Sequence, residues 1–270
     1  MKPIDTFEQF KRFHRHAREL QAKYKESIRL LVGMETEWIH GGTADEFAKL
    51  MAEFPLDYIV GSVHHVCGVP IDFDQSTFER IVKMLSNGSP DSEDGVEKAF
   101  SEYFDAQYQM LTAFKPTVVG HFDLIRLFRP LYALSVPVWT KIRRNIEWIV
   151  ANGSLVEINT RSWKKGWSDA YPQRDIIKVT HPFASNHLFF INDSTLLRSW
   201  LNAESSSVSP MTAMALMMSA CITTSYSSIY KMLASLRSTI QHHLQSISVI
   251  PIFSPRPFGS RVGSTVFWIE

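Results

Sequence analysis

Along the first two thirds of the chain the hydrophobic positions switch between two periods. From Asp5 to Leu30 the residues are mostly Glu, Lys, Arg, Gln and Ala, while Phe7, Phe10, Phe13 and Leu20 fall on roughly one side. That spacing predicts an amphipathic helix, with Asp5 or Thr6 as its cap and Glu8 and Gln9 in its first turn. Helical patterns recur at Thr43–Phe54, Ser76–Leu85, Val96–Phe114 and Val136–Ala151. Between them lie short apolar runs at Arg29–Glu35, Asp57–His64, Thr117–His121 and Leu155–Asn159, which predict buried strands. Strands separated by helices of roughly ten or more residues imply parallel βαβ units. The class is α/β, and this pattern alone fits a layered sheet or a barrel equally.

The pattern breaks near residue 178. Residues 1–178 hold 47 of the 55 charged residues and residues 179–270 only eight, whereas serine goes from eleven to eighteen. The first segment reads as a folded domain. The second is poor in charge, lacks clean periodicity, and still carries too many aliphatics and methionines for a solvated linker. It reads as sequence not selected to fold.

Bulk composition narrows the classes further. With 45 % hydrophobic and 20 % charged residues, the 270-residue chain has the make-up of an ordinary globular protein. A net charge of +1 gives no general electrostatic case for nucleic acid or an anionic membrane. Two cysteines exclude a disulfide scaffold and fit a reducing compartment. No apolar run reaches the roughly 18–20 residues that span a bilayer, and charges throughout the first thirty residues argue against a secretory signal. The expectation is a soluble, cytoplasmic chain.

Three strand candidates end in residues that bind metal: Glu35 after LLVGM, His64 after DYIVGSV, and His121 after TVVG. The C-terminal strand ends of parallel sheets and barrels form their functional face. Carboxylate and imidazole are the donors expected for zinc, iron or manganese. A single strand-end histidine is more often a hydrogen-bonded structural residue, but three repeats on successive strands point to a shared site. His65 alternates with His64 across the pleat and is expected to face the other way, as a structural or supporting residue. Asp72 and Asp74 read as turn and cap residues. Arg126, five positions after His121, can reach a substrate anion from the same loop or be a surface arginine on a short helix. Lys164 and Lys165 follow the strand ending EIN. Cys67 has no base placed for nucleophilic chemistry, and no P-loop, dinucleotide glycine fingerprint or paired CxxC is present.

Four strings together, GMETEWI (33–39), DYIVGSVHHVCGVPIDFD (57–74), VVGHFDLIRLF (118–128) and VEINTRSWKKGW…YPQRDI (156–176), resemble the histidinol-phosphatases of the PHP family, the fungal type in particular. The resemblance runs from about residue 7 to Lys178. It implies a (β/α) barrel, here incomplete, with a multinuclear centre of divalent metal ions (Zn, Fe or Mn) at its C-terminal face. It also implies hydrolysis of L-histidinol phosphate, a small-molecule substrate, in histidine biosynthesis. Carried over residue by residue, it makes Glu35, His64 and His121 metal ligands, with His64 and His121 counted as catalytic. Arg126 becomes a contact to the substrate phosphate, and Lys164 falls near a second one, where arginine is more usual.

The sequence also departs from that pattern. The family opens with a strand carrying His-x-His and a second segment ending in Glu-His, and near its end it has Ser-Asp-Asp-Ser-His-Gly. None of these stands here, so roughly half of the family's ligands lack a counterpart. The genetic code suggests a reason for the last. Reading the third base of each codon with the first two of the next across Ser209–Thr223 turns Met211-Thr212 into Asp, Met214-Ala215 into Gly and Met217-Met218 into Asp, all three forced. The neighbouring steps permit Ser-Asp-Asp-Ser-His-Gly-Ile-Asp-Asp-Val-Gly-Leu. The codon of Val179 begins GT, as introns do. The expectation is a partial PHP-type domain over 1–178, then a non-family tail over 179–270: a retained intron to about 203 and a shifted frame beyond. On this reading the chain as written lacks activity. The alternatives are an inactive fragment or pseudoenzyme, and a PHP-type hydrolase of another phosphoester.

Overall fold

The computed structural model describes residues 6–26, 29–89, 92–159, 161–162, 167 and 169–180, with strand segments at 189–191, 251–252 and 266–269. Helix α1 (Thr6–Lys23) leads into β1 (Arg29–Glu37), α2 (Gly42–Glu53) and β2 (Tyr58–Ser62). A small antiparallel hairpin, β3 (His65–Val66) and β4 (Val69–Pro70), precedes α3 (Gln75–Leu85) and α4 (Glu93–Phe114). Strand β5 (Val118–Val119) runs into a 3-10 turn (Leu124–Phe128), followed by α5 (Val136–Asn152), β6 (Leu155–Ile158) and α6 (Arg174–Thr180). Short strands β7 (Phe189–Ile191), β8 (Pro251–Ile252) and β9 (Val266–Ile269) complete the order.

One sheet has the strand order β7-β6-β5-β2-β1-β9-β8, and every pairing in it is parallel except β8 with β9. The α/β class with parallel strands is therefore observed. Three strands belong to the stretch after residue 178, and most of that stretch lies outside the described residues. Registers align the strands at one end: Glu35 lies beside Val60, Val60 beside Val118, and Val119 beside Val156. The C-terminal ends of β1, β2, β5 and β6 thereby gather on one edge of the sheet, which is what positions the site.

Helices α3, α4 and α5 pack their apolar stripes over this sheet, burying Phe78, Ile81, Phe100, Phe104, Ile142 and Ile146 completely or nearly so. Burial of a large aliphatic or aromatic side chain contributes about 1.5–3 kcal/mol. The helix starts are capped by local chemistry. Asp74 accepts from the Thr77 N–H, Ser92 from Gly95 and Ser135 from Val138. Beneath the sheet face, the Tyr58 ring lies where a Cβ on Gly33 would sit, 2.0 Å from the ideal position, so only glycine allows that cross-strand contact.

Several boundaries differ from the sequence expectation, among them β1, which runs on to Glu37, and β5, which stops at Val119. Helix α1 ends at Lys23 rather than near Leu30, because Arg29 and Leu30 already pair in parallel with β9. Strand β2 ends at Ser62, so His64 stands beyond the pleat. No helix among the described residues is long and apolar enough to cross a membrane.

Candidate metal centre

Glu35, His64 and His121 come together. Each offers one donor atom, and the three atoms lie within 4.8 Å of one another. The parallel register explains the convergence, since three consecutive strands of the sheet deliver their ends to one place. The His64 and His121 rings meet edge to face with centroids 4.6 Å apart. His121 is 8 % exposed, its Nε2 lies 3.4 Å from Glu35 Oε1, and its Nδ1 has no hydrogen-bond partner. A buried imidazole with an unpartnered nitrogen is costly unless something pairs with it. Two imidazoles and a carboxylate are a donor set that suits zinc, iron or manganese. The residues present fit a divalent metal.

Each of the three is held by a neighbour. The Ser62 hydroxyl donates to Glu35 Oε1 at 2.5 Å. Partial burial opposes ionisation of Glu35, but the His121 imidazole, the Ser62 hydroxyl and the nearby His64 outweigh it and hold the carboxyl down at about 2. It is an anion throughout the neutral range. His121 follows Gly120 where the chain leaves β5 and turns with φ of 22°, in the left-handed region that non-glycine residues seldom adopt. Its backbone N–H donates to Glu157 Oε2 at 2.8 Å, tying the turn to β6. A Cβ on Gly120 would lie 2.6 Å from Ser62 Oγ, so the glycine keeps that hydroxyl in place beside Glu35.

Glu37, two residues beyond Glu35 on the same face of β1, did not stand out in the sequence. Its Oε2 is 2.5 Å from His64 Nδ1, and its Oε1 accepts from the His64 backbone N–H at 3.0 Å and from His65 Nδ1 at 3.0 Å. Burial opposes ionisation of Glu37, and the two histidine contacts lower its carboxyl below the usual value. Burial likewise works against a charged His64, but the Glu37 carboxylate raises its pKa above the ordinary value. The expectation that His65 faces away from His64 is corrected here. Pleat alternation ends with β2 at Ser62, and both imidazoles turn to one carboxylate.

Arg126 is also placed differently from a surface arginine. Its side chain is 3 % exposed, its Nη1 donates to Gln173 Oε1 at 2.5 Å, its Nη2 donates to Asp175 Oδ2 at 2.7 Å, and its Nε lies 3.3 Å from Asp123 Oδ2. Asp123 accepts the Gln173 backbone N–H at 3.0 Å. Complete burial pushes the Asp123 carboxyl up to about 7, with Arg126 pulling it down. Both terminal nitrogens of Arg126 thus have partners inside the fold, beside the loop that carries His121. Lys164 and Lys165 lie outside the described residues. Asp74 caps α3 as expected, and Cys67 sits exposed at a hairpin turn with φ of 51°. A cavity beside β1, lined by Met34, Phe47, Leu50 and Phe114, opens at Glu35 and Glu37.

Residues 4–161, more than half of the chain, match the family profile described as the PHP domain. The chain belongs to the PHP family. This PHP chain is 37 % identical over 184 residues to a probable histidinol-phosphatase of Schizosaccharomyces pombe, covering 66 % of the chain and 58 % of that protein. It is 31 % identical over 215 residues to a histidinol-phosphatase of Saccharomyces cerevisiae, covering 68 % and 62 % respectively. Against a probable histidinol-phosphatase of Deinococcus radiodurans the identity is 25 % over 178 residues, covering 64 % and 60 %. The chain thus spans about three fifths of the length of these relatives. Glu35, His64 and His121 all lie inside the matched PHP segment.

Proposed function

We propose that this PHP chain is a metal-dependent phosphomonoesterase that hydrolyses L-histidinol phosphate to L-histidinol and phosphate, with Glu35, His64 and His121 as metal ligands. The observation that carries the reading is the convergence of those three donors at the C-terminal edge of a parallel sheet, with the buried His121 Nδ1 lacking a hydrogen-bond partner. The relatives named for histidinol phosphate hydrolysis supply the substrate. A bound divalent ion contributes a Lewis acid for phosphoryl oxygens and brings the pKa of a water to about 7. The chain's own residues prepare the place. Glu35 stays ionised, Ser62 orients it, and Glu157 fixes the turn that presents His121. Zinc, iron and manganese all suit the donors, and a multinuclear centre is part of the proposal. We further propose that residues 179–270 carry a retained intron to about 203 and a shifted frame beyond, and that the activity is complete only in the spliced protein that restores the Ser-Asp-Asp-Ser-His-Gly ligands.

The test is phosphate release from L-histidinol phosphate by the spliced, frame-restored protein beside the chain as written, before and after treatment with a chelator and after adding back Zn²⁺, Fe²⁺ or Mn²⁺. Release that is lost to chelator and restored by one metal supports the reading. Release that ignores the chelator overturns the metal role, and hydrolysis of other phosphomonoesters but not this one overturns the substrate.

A further inference from the structure

We propose that Glu37 is a positioning residue of the metal centre, its carboxylate gripping His64 and His65 together so that His64 offers Nε2 outward. The inference rests on the metal-centre reading above and goes beyond the ligands themselves. An ionised carboxylate can only accept hydrogen bonds, so the 2.5 Å contact requires His64 Nδ1 to carry the hydrogen. That fixes the tautomer, and Nε2 is left with the lone pair. The second oxygen of Glu37 accepts from the His64 backbone N–H and from His65 Nδ1, each at 3.0 Å. The carboxylate is thereby held on both oxygens, and the His64 ring cannot swing without breaking its Nδ1 contact to Glu37 Oε2.

The register shows why β1 can serve two roles. Glu35 and Glu37 are two apart, hence on one face, and Glu37 pairs with Ser62 at the last position of β2. From there the chain leaves the pleat and passes His64 and His65 directly over the Glu37 carboxylate. His65 therefore acts as a strut for Glu37 rather than as a ligand. Carboxylates that orient metal-bound imidazoles in this manner are worth 10–100-fold in metal affinity.

The experiment is titration of the full chain with Co²⁺ alone, reading the dissociation constant and the visible absorption band, for wild type, Glu37→Ala, Glu37→Gln, His65→Ala and His64→Ala. The proposal expects Glu37→Ala to weaken Co²⁺ binding by about 10–100-fold and alter the band. Glu37→Gln keeps an oxygen that accepts from Nδ1–H and should recover much of that loss. It also keeps the test decisive if the alanine variant does not fold. His65→Ala should lose less than Glu37→Ala. If Glu37→Ala and Glu37→Gln bind Co²⁺ like wild type with an unchanged band while His64→Ala loses it, Glu37 is merely structural and the inference fails, with the metal centre intact. If His64→Ala also binds like wild type, the metal-centre reading fails and takes this inference with it.

Discussion

The carboxylate of Glu157 at the end of β6 accepts the backbone N–H of His121 at the end of β5, across 2.8 Å and with both residues 8 % exposed. The bond crosses between neighbouring parallel strands just past the end of their ladder, two residues beyond Val119 and one beyond Val156. It holds an imidazole whose backbone sits in the left-handed region. Such a conformation costs on the order of 1 kcal/mol or more and persists only when neighbours impose it.

Replacing Glu157 with alanine should therefore act on stability and on the site together. Leaving the buried His121 N–H without its acceptor costs about 1–3 kcal/mol. Urea unfolding of Glu157→Ala is expected to show that loss, with weakened metal binding in the folded protein. Glu157→Gln retains an acceptor and should lose less of both. Metal affinity unchanged in Glu157→Ala would show that His121 keeps its place without the carboxylate.

Arg126 separates a structural role from a substrate contact. Its guanidinium joins the loop after His121 to Gln173 and Asp175, with Asp123 buried at its side. Removing one partner of a buried charged group costs about 3–5 kcal/mol. Arg126→Met is expected to lower the unfolding free energy by that order. A variant as stable as wild type, with only the substrate KM raised, would instead support a contact of Arg126 to the substrate phosphate.

Asp57 makes the acid side of stability measurable. Its carboxylate takes hydrogen bonds from the Val32 N–H at 2.8 Å, from Arg18 and from Gln21, joining α1 to the sheet. Partial burial raises its pKa, but these donors outweigh it and leave the group below its ordinary 3.8. A depressed folded pKa contributes stability that is complete above the unfolded value and is lost as pH falls through the folded one. Asp57→Asn should cost about 1–3 kcal/mol at pH 7. The gap from wild type should close below about pH 4. A gap independent of pH would place its origin in packing.

How much of this was legible in the sequence depended on how local each cause is. The strand-end residues Glu35, His64 and His121 stood out because an apolar run ending in a donor is a local pattern, and parallel register then brought them together. Glu37 was readable in principle, two positions from Glu35 on the same face. A second glutamate in GMETEWI looks like an ordinary polar residue until the chain after β2 is seen to cross it. His65 defeated the alternation rule for the same reason. The internal partners of Arg126 are not legible, since Gln173 and Asp175 lie 47 and 49 residues away. The reach of α1 was overdrawn because helix propensity does not register the pairing of Arg29 and Leu30 with β9.

The stretch after residue 178 yields a prediction at the level of nucleic acid. Three shifted codons, those at Met211-Thr212, Met214-Ala215 and Met217-Met218, are forced to Asp, Gly and Asp. Transcript sequencing across the codons for Lys178 to Met211 should find a spliced message that enters the Ser-Asp-Asp-Ser-His-Gly frame. A message that reads as the protein does would end the frame proposal.

The central claim is that Glu35, His64 and His121 hold a divalent metal. Elemental analysis of the purified full chain after equilibrium dialysis against Zn²⁺ or Mn²⁺, beside His64→Ala and His121→Ala, tests it directly. The account predicts metal retained by the wild-type chain and lost from both variants while their circular dichroism remains that of a folded α/β protein. Wild-type chain without metal, or variants holding as much as wild type, would contradict it.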